Sequence, residues 1–221
     1  RSALNMLELL ETYKDKNVRD PGLTPDDVAY LTYTSGTTGP PKGAMNTHGN
    51  IAFNARVYKT MLCIDENDVV VGVAPLFHVT GEVAHLAIAA LAGIPVILYY
   101  RFDAGETLRL IERWKATMTV GAITVYIALM NHPDINKRNI SSFVKAYSGG
   151  APVSEAIVGQ FEELTGLYLY NVYGMTETNS PSHIVPWGKR APVDKESGAL
   201  SVGVAVPNCI VKIMDLEDDN Q

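Results

Sequence analysis

Short runs of apolar residues recur along the chain, and the segments between them carry apolar residues at helical spacing. Five of these runs predict strands, and those at 69–73 and 95–100 are apolar on both faces, as in a sheet covered on both sides. The five predicted strands lie at 28–34, 69–73, 95–100, 143–147 and 168–172. Because strands and helices alternate, we expect an α/β fold with a largely parallel sheet and flanking helices.

Three of the intervening segments have clear helix signals. One helix is expected from about 48 to 62. Asp103 is suited to cap a second helix, with Glu106 completing a capping box, and Ser154 begins a third that ends at Gly166. The apolar faces of the three helices consist of Ile51, Ala55, Tyr58 and Leu62, of Thr107, Leu110, Ile111 and Trp114, and of Ile157, Phe161 and Leu164.

A longer apolar stretch at 79–100 approaches the length that a transmembrane helix needs. It contains Glu82 and His85 and is interrupted at Gly93 and Pro95. We therefore interpret it as a buried helix followed by a core strand, and expect no transmembrane segment.

The composition is that of a folded globular domain, with 47% hydrophobic and 19% charged residues among 221. A net charge of −6 without a basic cluster argues against nucleic acid as a partner. Cys63 and Cys209 form no CxxC pair, and the first residues contain no apolar signal sequence. These features favour a reducing compartment, the cytoplasm.

The segment from Tyr33 to Gly43 reads YTSGTTGPPKG and joins two strand-like runs. Glycines let backbone N–H groups approach an anion, hydroxyls donate further hydrogen bonds and Lys42 adds a positive charge, so the segment favours a polyphosphate site. A Walker-type loop fits less well, because Gly43 follows Lys42 and two prolines remove backbone donors. The predicted phosphate-binding residues are Thr34, Ser35, Gly36, Thr37, Thr38, Gly39 and Lys42.

Three further motifs follow in order: PLFH at 75–78, SGGAP at 148–152 and NVYGMTE at 171–177, with a weaker SVG at 201–203. Together with the loop, this ordered set resembles the adenylate-forming (AMP-binding) superfamily, in its acyl-CoA synthetase branch. The resemblance implies the layered N-terminal domain of those enzymes, with the start of a small β-subdomain at the C-terminus. It also implies ATP and Mg²⁺ as cofactors and coenzyme A as co-substrate.

The motifs at 148–152 and 171–177 each follow or end a predicted strand, so they should meet at one crevice at the edge of the sheet. By the resemblance, the glycine motif and Tyr173 hold the adenine, Thr176 binds the α-phosphate and Glu177 holds Mg²⁺. The residues so assigned to the nucleotide are Gly149, Gly150, Ala151, Pro152, Asn171, Tyr173 and Gly174, and the catalytic residues are Thr176, Glu177 and His78.

The same resemblance places His78 at the carboxylate end of the acid. We assign the acyl pocket to His78, Gly81, Glu82 and His85. Glu82 and His85 lie one and two helical turns after His78, and pairing of these two with each other explains them equally well.

The resemblance also exposes what the chain lacks, namely the family's ribose-binding aspartate, hinge and C-terminal lysine. We therefore expect a piece of a larger enzyme, inactive alone and prone to homo-oligomerise through uncovered apolar faces. The predicted segments are 1–26, the tail of an upstream element; 27–65, the phosphate loop and its following helix; 66–180, the nucleotide- and acyl-binding part; and 181–221, the start of a β-rich subdomain.

The expected activity is ATP-dependent conversion of a carboxylic acid to an acyl-adenylate, followed by transfer to coenzyme A. A fatty or aryl acid is favoured, because no residue is an evident partner for an α-ammonium group. Two alternatives remain: an adenylation domain that loads a carrier protein, and a non-catalytic nucleotide-binding or assembly module.

Overall fold

The computed structural model describes residues 5–17, 20–34 and 39–214. In this part of the chain, an antiparallel hairpin of two strands lies beside a sheet of seven strands. The strands are β1 (Val28–Thr34), β2 (Lys42–Thr47), β3 (Val70–Val71), β4 (Val96–Ile97), β5 (Met118–Ala122), β6 (Lys145–Gly149), β7 (Leu169–Met175), β8 (Ser180–Ile184) and β9 (Val204–Ala205).

The larger sheet has the strand order β4-β3-β5-β6-β7-β8-β9. Its first five strands are parallel, whereas β8 and β9 extend it as antiparallel strands. Parallel neighbours need long crossovers, and helices supply them here. The predicted α/β class with a mostly parallel sheet and flanking helices is confirmed. The division into four segments stays a prediction.

The helices of the described residues connect these strands. A short π-helical segment, π1 (Glu82–Ala87), interrupts one helical stretch. The α-helices are α1 (Met6–Tyr13), α2 (His48–Met61), α3 (Val79–Gly81), α4 (Ile88–Ala92), α5 (Ala104–Trp114), α6 (Ile123–Met130) and α7 (Glu155–Thr165).

The larger sheet is covered on both faces, which gives three layers. One apolar cluster packs α2, π1 and α4 against the sheet, and another packs α5, α6 and α7 against its other face. Neighbouring strand residues alternate between the clusters: Ala146 and Leu169 belong to one, Tyr147 and Tyr170 to the other. This period of two is what buried strands require, and it fixes their register.

The apolar stretch at 79–100 folds as α3, π1, α4 and β4. The predicted buried helix is present, whereas the predicted core strand is wrong, because β4 is a partly buried strand at the edge of the sheet. Gly93 ends the helical part in a left-handed conformation. None of the helices in the described ranges combines the length and apolarity that a bilayer crossing needs.

The elements missed from the sequence include β5 and α6. They follow one another in the run MTVGAITVYIALM at 118–130, which contains no charged residue and no proline. Such a run shows no period from which a strand can be distinguished from a helix. The predicted strands at 69–73 and 95–100 exist but are short, as β3 and β4.

The predicted helix caps are largely confirmed. Asp103 accepts the Glu106 N–H at 2.8 Å, and the Ser154 hydroxyl accepts the Ile157 N–H at 3.3 Å. The reciprocal half of the capping box at Asp103 is wrong, because the Glu106 carboxylate binds Arg109 instead.

A buried ion pair lies at the amino ends of the parallel strands. Lys145 Nζ is 2.5 Å from Asp68 Oδ2, and both side chains are almost fully buried. The Thr117 hydroxyl donates to Asp68 Oδ1 at 2.7 Å, and Lys145 also donates to the Cys63 carbonyl oxygen at 2.8 Å. The pair therefore joins the beginnings of β3, β5 and β6.

Candidate active site

A cavity of about 610 Å³ opens at the carboxyl ends of the parallel strands. The neighbouring strands β3, β5, β6 and β7 each supply residues that end or follow them. Such crevices bind ligands because every parallel strand delivers its following loop to the same edge. The motifs at 148–152 and 171–177 both reach this cavity, as the strand pattern predicted, and the motif at 75–78 reaches it as well.

Gly149 ends β6 and forms part of the cavity wall. A Cβ atom here would lie 2.9 Å from both the carbonyl oxygen and Cγ1 of Val172. Glycine therefore allows β6 to lie this close to β7. Gly150 follows with a φ of 81°, and Ala151 completes the wall. This stretch offers a backbone surface with hardly any side chains, against which a flat aromatic ring can lie.

A tight turn between β7 and β8 carries Thr176 and Glu177. Gly174 lets the two strands come together, because a Cβ atom there would lie 2.1 Å from the Ser180 carbonyl oxygen. Thr176 is partly buried and lines the cavity, whereas its neighbour Glu177 is exposed. The turn therefore puts a hydroxyl-bearing residue in the cavity wall and a solvated carboxylate next to it.

Much of the remaining lining is apolar. It comes from the ends of β3 and β5, the start of α3 and the first turn of α6, together with Phe102. The apolar residues include Val73, Val79, Phe102, Val120, Ile123 and Val125. One cavity thus combines a backbone wall, which has few side chains, with an apolar compartment. This arrangement is typical of small-molecule sites.

His78 lines the cavity where α3 begins. Its Nδ1 accepts the Thr80 N–H at 3.1 Å and caps the helix. Partial burial lowers the pKa of His78, which favours the neutral ring. With Nδ1 used as an acceptor, the proton resides on Nε2, which is then a donor. That donor suits a carboxylate oxygen of a bound acid.

The other predicted acyl-pocket residues do not line the cavity that the described residues enclose. Gly81 is buried at the end of α3. His85 is fully buried, with Nε2 3.0 Å from the Val120 carbonyl oxygen, and burial lowers its pKa to about 4. Burial raises the pKa of Glu82, and the hydroxyls of Tyr30 and Thr32 oppose that rise. The acyl-pocket roles of these residues stay predictions.

The predicted phosphate loop joins β1 and β2, which pair with Thr34 opposite Lys42. Thr34 is partly buried, whereas Gly39 and Lys42 are exposed. The remaining predicted phosphate-binding residues, Ser35, Gly36, Thr37 and Thr38, lie outside the described residues. Phosphate binding by this loop stays a prediction.

Three further predicted nucleotide residues are near the cavity but not in its described lining. Tyr173 is 43% exposed, with its ring centroid 5.8 Å from that of His183. Asn171 is buried and donates to the Ser201 carbonyl oxygen at 3.2 Å, which ties β7 to the motif at 201–203. Pro152 is exposed. Their contacts with nucleotide stay predictions.

Several residues of the lining were missed from the sequence. Gly121, Ala122 and Thr124 come from the junction of β5 and α6, the two elements that the pattern failed to separate. Small residues in an otherwise bulky apolar run were the available signal, because they leave space at the end of a strand. Phe102 and Tyr58 carried no comparable signal.

Glu177 fits a Mg²⁺ ion that arrives with a nucleotide. Within residues 5–17, 20–34 and 39–214, no group of three or more His, Cys, Asp or Glu side chains is placed to hold a metal ion. Mg²⁺ commonly keeps several waters and binds one or two carboxylates together with substrate phosphates. A single exposed carboxylate beside the cavity meets that requirement.

Comparison with known proteins agrees with this geometry. A family model described as AMP-binding enzyme matches residues 2–221. The chain belongs to the AMP-binding enzyme family. Its fold is correspondingly that of adenylate-forming enzymes. An anthranilate CoA ligase, AuaEII, in complex with anthranoyl-AMP superposes with a TM-score of 0.79 at 26% identity, over 87% of this chain and 36% of that one.

Other relatives of this AMP-binding chain are named as CoA ligases. A long-chain-fatty-acid–CoA ligase of Bacillus subtilis is 38% identical over 78% of this chain, and a feruloyl-CoA synthase of Amycolatopsis is 38% identical over 80%. The O-succinylbenzoate coenzyme A synthetase of Bacillus subtilis, in complex with ATP and magnesium, has a TM-score of 0.75 at 31% identity over 88% of this chain and 39% of that one. The two curated relatives are matched over only 31% and 35% of their own lengths, so the chain spans about a third of them.

Proposed function

We propose that this chain is the nucleotide- and acid-binding part of an acid–thiol ligase. The ligase would activate a fatty or aryl carboxylic acid with ATP and pass the acyl group to coenzyme A. The observation that carries the proposal is the cavity in which the glycine wall at 149–151 and Thr176 meet an apolar lining. Relatives named as fatty-acid and feruloyl CoA ligases support the same chemistry.

The nucleotide would lie along the glycine wall. Adenine would pack on the backbone of Gly149 and Gly150, with Tyr173 on its other face. The triphosphate would then extend past Thr176 towards Lys42, whose ammonium group is a suitable partner for the terminal phosphates. Mg²⁺, bound by Glu177, would supply charge neutralisation on the phosphate oxygens.

The acid would occupy the apolar part of the cavity. Among the described residues that line it, none is Asp, Glu, Lys or Arg, so an α-ammonium group would find no partner there. The Nε2–H of His78 would orient the carboxylate. These features favour fatty or aryl acids over amino acids.

Adenylation would proceed by attack of the carboxylate oxygen on the α-phosphorus. The bond from this phosphorus to the bridging oxygen of the β-phosphate breaks, and pyrophosphate leaves in line. Thr176 would donate a hydrogen bond to the α-phosphate, where charge changes during the reaction. In the second step a thiolate attacks the acyl carbon and AMP leaves.

The test is acid-dependent exchange of pyrophosphate into ATP by the whole protein that contains this chain. Exchange with a fatty or aryl acid and Mg²⁺ is expected, and amino acids should give none. Competition between coenzyme A and a carrier protein for the acyl group identifies the acceptor. Nucleotide binding without acid-dependent exchange would overturn the proposal in favour of a non-catalytic module. For the chain alone, exchange within tenfold of the whole protein would contradict the expectation that it is inactive.

A further inference from the structure

A buried hydrogen-bond cluster surrounds the turn that carries Thr176 and Glu177. Its members, here called the Asn179 cluster, are Tyr30, Asn54, Thr178 and Asn179. The Asn54 side-chain amide donates to the carbonyl oxygens of Thr178 and Asn179, at 3.1 and 2.8 Å. The Tyr30 hydroxyl donates to Asn179 Oδ1 at 2.5 Å. Asn54 and Asn179 are 4% and 2% exposed, so water does not compete for the bond between them.

The turn has a backbone conformation that needs such support. Asn179 has a φ of 54° and Ser180 a φ of 98°. Two successive left-handed residues that are not glycine are costly, and they persist only where their surroundings fix them. Tyr58, whose hydroxyl lies 2.8 Å from Ser180 Oγ, is a third residue that contacts the turn from outside it.

These contacts join three separate parts of the fold. Tyr30 belongs to β1, the strand that leads into the phosphate loop, and Asn54 belongs to α2, which follows β2. Asn179 follows Glu177 in the turn after β7. The hairpin that carries the phosphate loop is thereby held against the turn expected to carry the α-phosphate and Mg²⁺ ligands.

Tyr30 is suited to remain a donor in this cluster. Burial raises the pKa of its hydroxyl, and the nearby Glu82 carboxyl raises it further. Glu82, in π1, faces Tyr30. Thr32, in the same strand as Tyr30, also faces Glu82. The hydroxyl therefore stays protonated, and the contact with Asn179 persists across the neutral range.

We infer that Tyr30 and Asn54 are positioning residues that set the Thr176–Glu177 turn relative to the phosphate loop. The inference rests on the proposed function for its catalytic meaning. The two residues act through Asn179 and touch no reacting atom. Loss of either contact should let the turn shift, and misplacement of about 1 Å at a reacting centre can cost up to about a hundredfold in rate.

The test compares Tyr30→Phe and Asn54→Leu with a matched control, Tyr168→Phe. Tyr168 also uses its hydroxyl for one hydrogen bond, from the Ala191 N–H at 3.0 Å, but it lies before the start of β7, away from the cavity. In the whole protein, the two cluster variants should lower the kcat of adenylation by about 10- to 100-fold and raise the Mg²⁺ concentration needed for half-maximal rate. The KM for the acid should stay unchanged, and the control should behave as wild type.

Hydrogen exchange supplies a readout that does not depend on activity. The amides of Met175 and Asn179 are bonded within the turn, to Thr178 Oγ1 at 3.0 Å and to the Thr176 carbonyl oxygen at 3.1 Å. In Tyr30→Phe these amides should exchange faster, while those of β5 and β6 stay protected.

The two proposals can fail separately. If wild type shows no acid-dependent exchange, the proposed function fails, and the turn amides alone decide whether the cluster holds the turn. If wild type is active but the cluster variants keep its kcat, its Mg²⁺ dependence and its amide protection, the inference is overturned. An equal loss in Tyr168→Phe would likewise overturn it, since a general loss of stability would then be the cause.

Discussion

The two ends of the parallel sheet use polar groups in opposite ways. At the amino ends, Asp68 bonds both Thr117 and Lys145, and the side chains of Asp68 and Lys145 are almost closed off from water. At the carboxyl ends, glycine backbone and Thr176 face a cavity, and the carboxylate of Glu177 is exposed. The same strands form both ends. The polar side chains at the amino ends find their hydrogen-bond partners within the protein, whereas polar groups at the carboxyl ends face space that a ligand can fill.

This difference separates stability from function along each strand. A buried ion pair that has its hydrogen bonds fixes strands in place but has nothing left to bind a substrate. Polar groups that face a cavity contribute little to folding and are available to a ligand. The comparison would be contradicted if substitutions at the amino ends mainly changed activity, or if substitutions at the carboxyl ends mainly changed stability.

The largest expected effect is on stability, at the amino ends. Lys145→Met leaves the Asp68 carboxylate buried without its ion-pair partner, which should lower the free energy of unfolding by about 3–5 kcal/mol. Urea unfolding of the chain measures it. The double variant Asp68→Leu, Lys145→Met should recover much of the loss, because no unpaired charge remains. A loss below 1 kcal/mol in the single variant would mean that the pair is solvated and that the two ends are alike.

The next effect belongs to the carboxyl ends and rests on the proposed function. Thr176→Val keeps the shape but removes a donor, and Glu177→Gln removes the charge that would hold Mg²⁺. Loss of one such preorganised donor costs about 2.7–4 kcal/mol in the reaction barrier, or roughly a hundred- to a thousandfold in rate. Rapid-quench measurement of acyl-adenylate formation in the whole protein tests this. Unfolding free energies close to wild type are the control, and a large loss of stability would contradict the separation of roles.

The sequence predicted most of the carboxyl end and little of the amino end. Glycine, threonine and glutamate motifs mark a ligand site locally, so the segments at 148–152 and 171–177 were recognised before the fold was known. Asp68 and Lys145 are far apart in the sequence and belong to no motif, and only the parallel register brings them together. Pairings of this kind depend on topology rather than on local pattern.

The same limit explains why β5 and α6 were missed from the sequence. The run at 118–130 contains the strand at the centre of the parallel strands and a cavity-lining helix, but an unbroken apolar run has no readable period. His85 was assigned to the acyl pocket because it shares a helical face with His78. The π-helical segment there changes the angular spacing of residues, and His85 lies against β5. Its acyl-pocket role stays a prediction.

His85 lies against β5, between the two ends of the sheet, and its burial can be tested through the pH dependence of stability. Burial lowers its pKa from 6.5 to about 4, so its neutral form is present in the folded chain while the unfolded chain takes up a proton. The stabilisation is full above pH 6.5 and is lost as the pH falls towards 4, by roughly 3 kcal/mol in total. The difference in unfolding free energy between wild type and His85→Gln should shrink over this interval. An unchanged difference would show that His85 titrates normally and is therefore solvated.

The smallest expected effect comes from a comparison of two residues at the carboxyl ends, Tyr173 and Thr176. Tyr173 is partly exposed and, by the proposed function, stacks on adenine equally in the ground state and the transition state. Tyr173→Ala should therefore raise the KM for ATP by the amount that a base–aromatic stack contributes, about 1–3 kcal/mol, and leave kcat nearly unchanged. Tyr173→Phe keeps the ring and serves as the matched control. Steady-state kinetics at saturating acid measure both constants. If kcat falls further in Tyr173→Ala than in Thr176→Val, Tyr173 takes part in the chemical step and the division between binding wall and reacting turn is wrong.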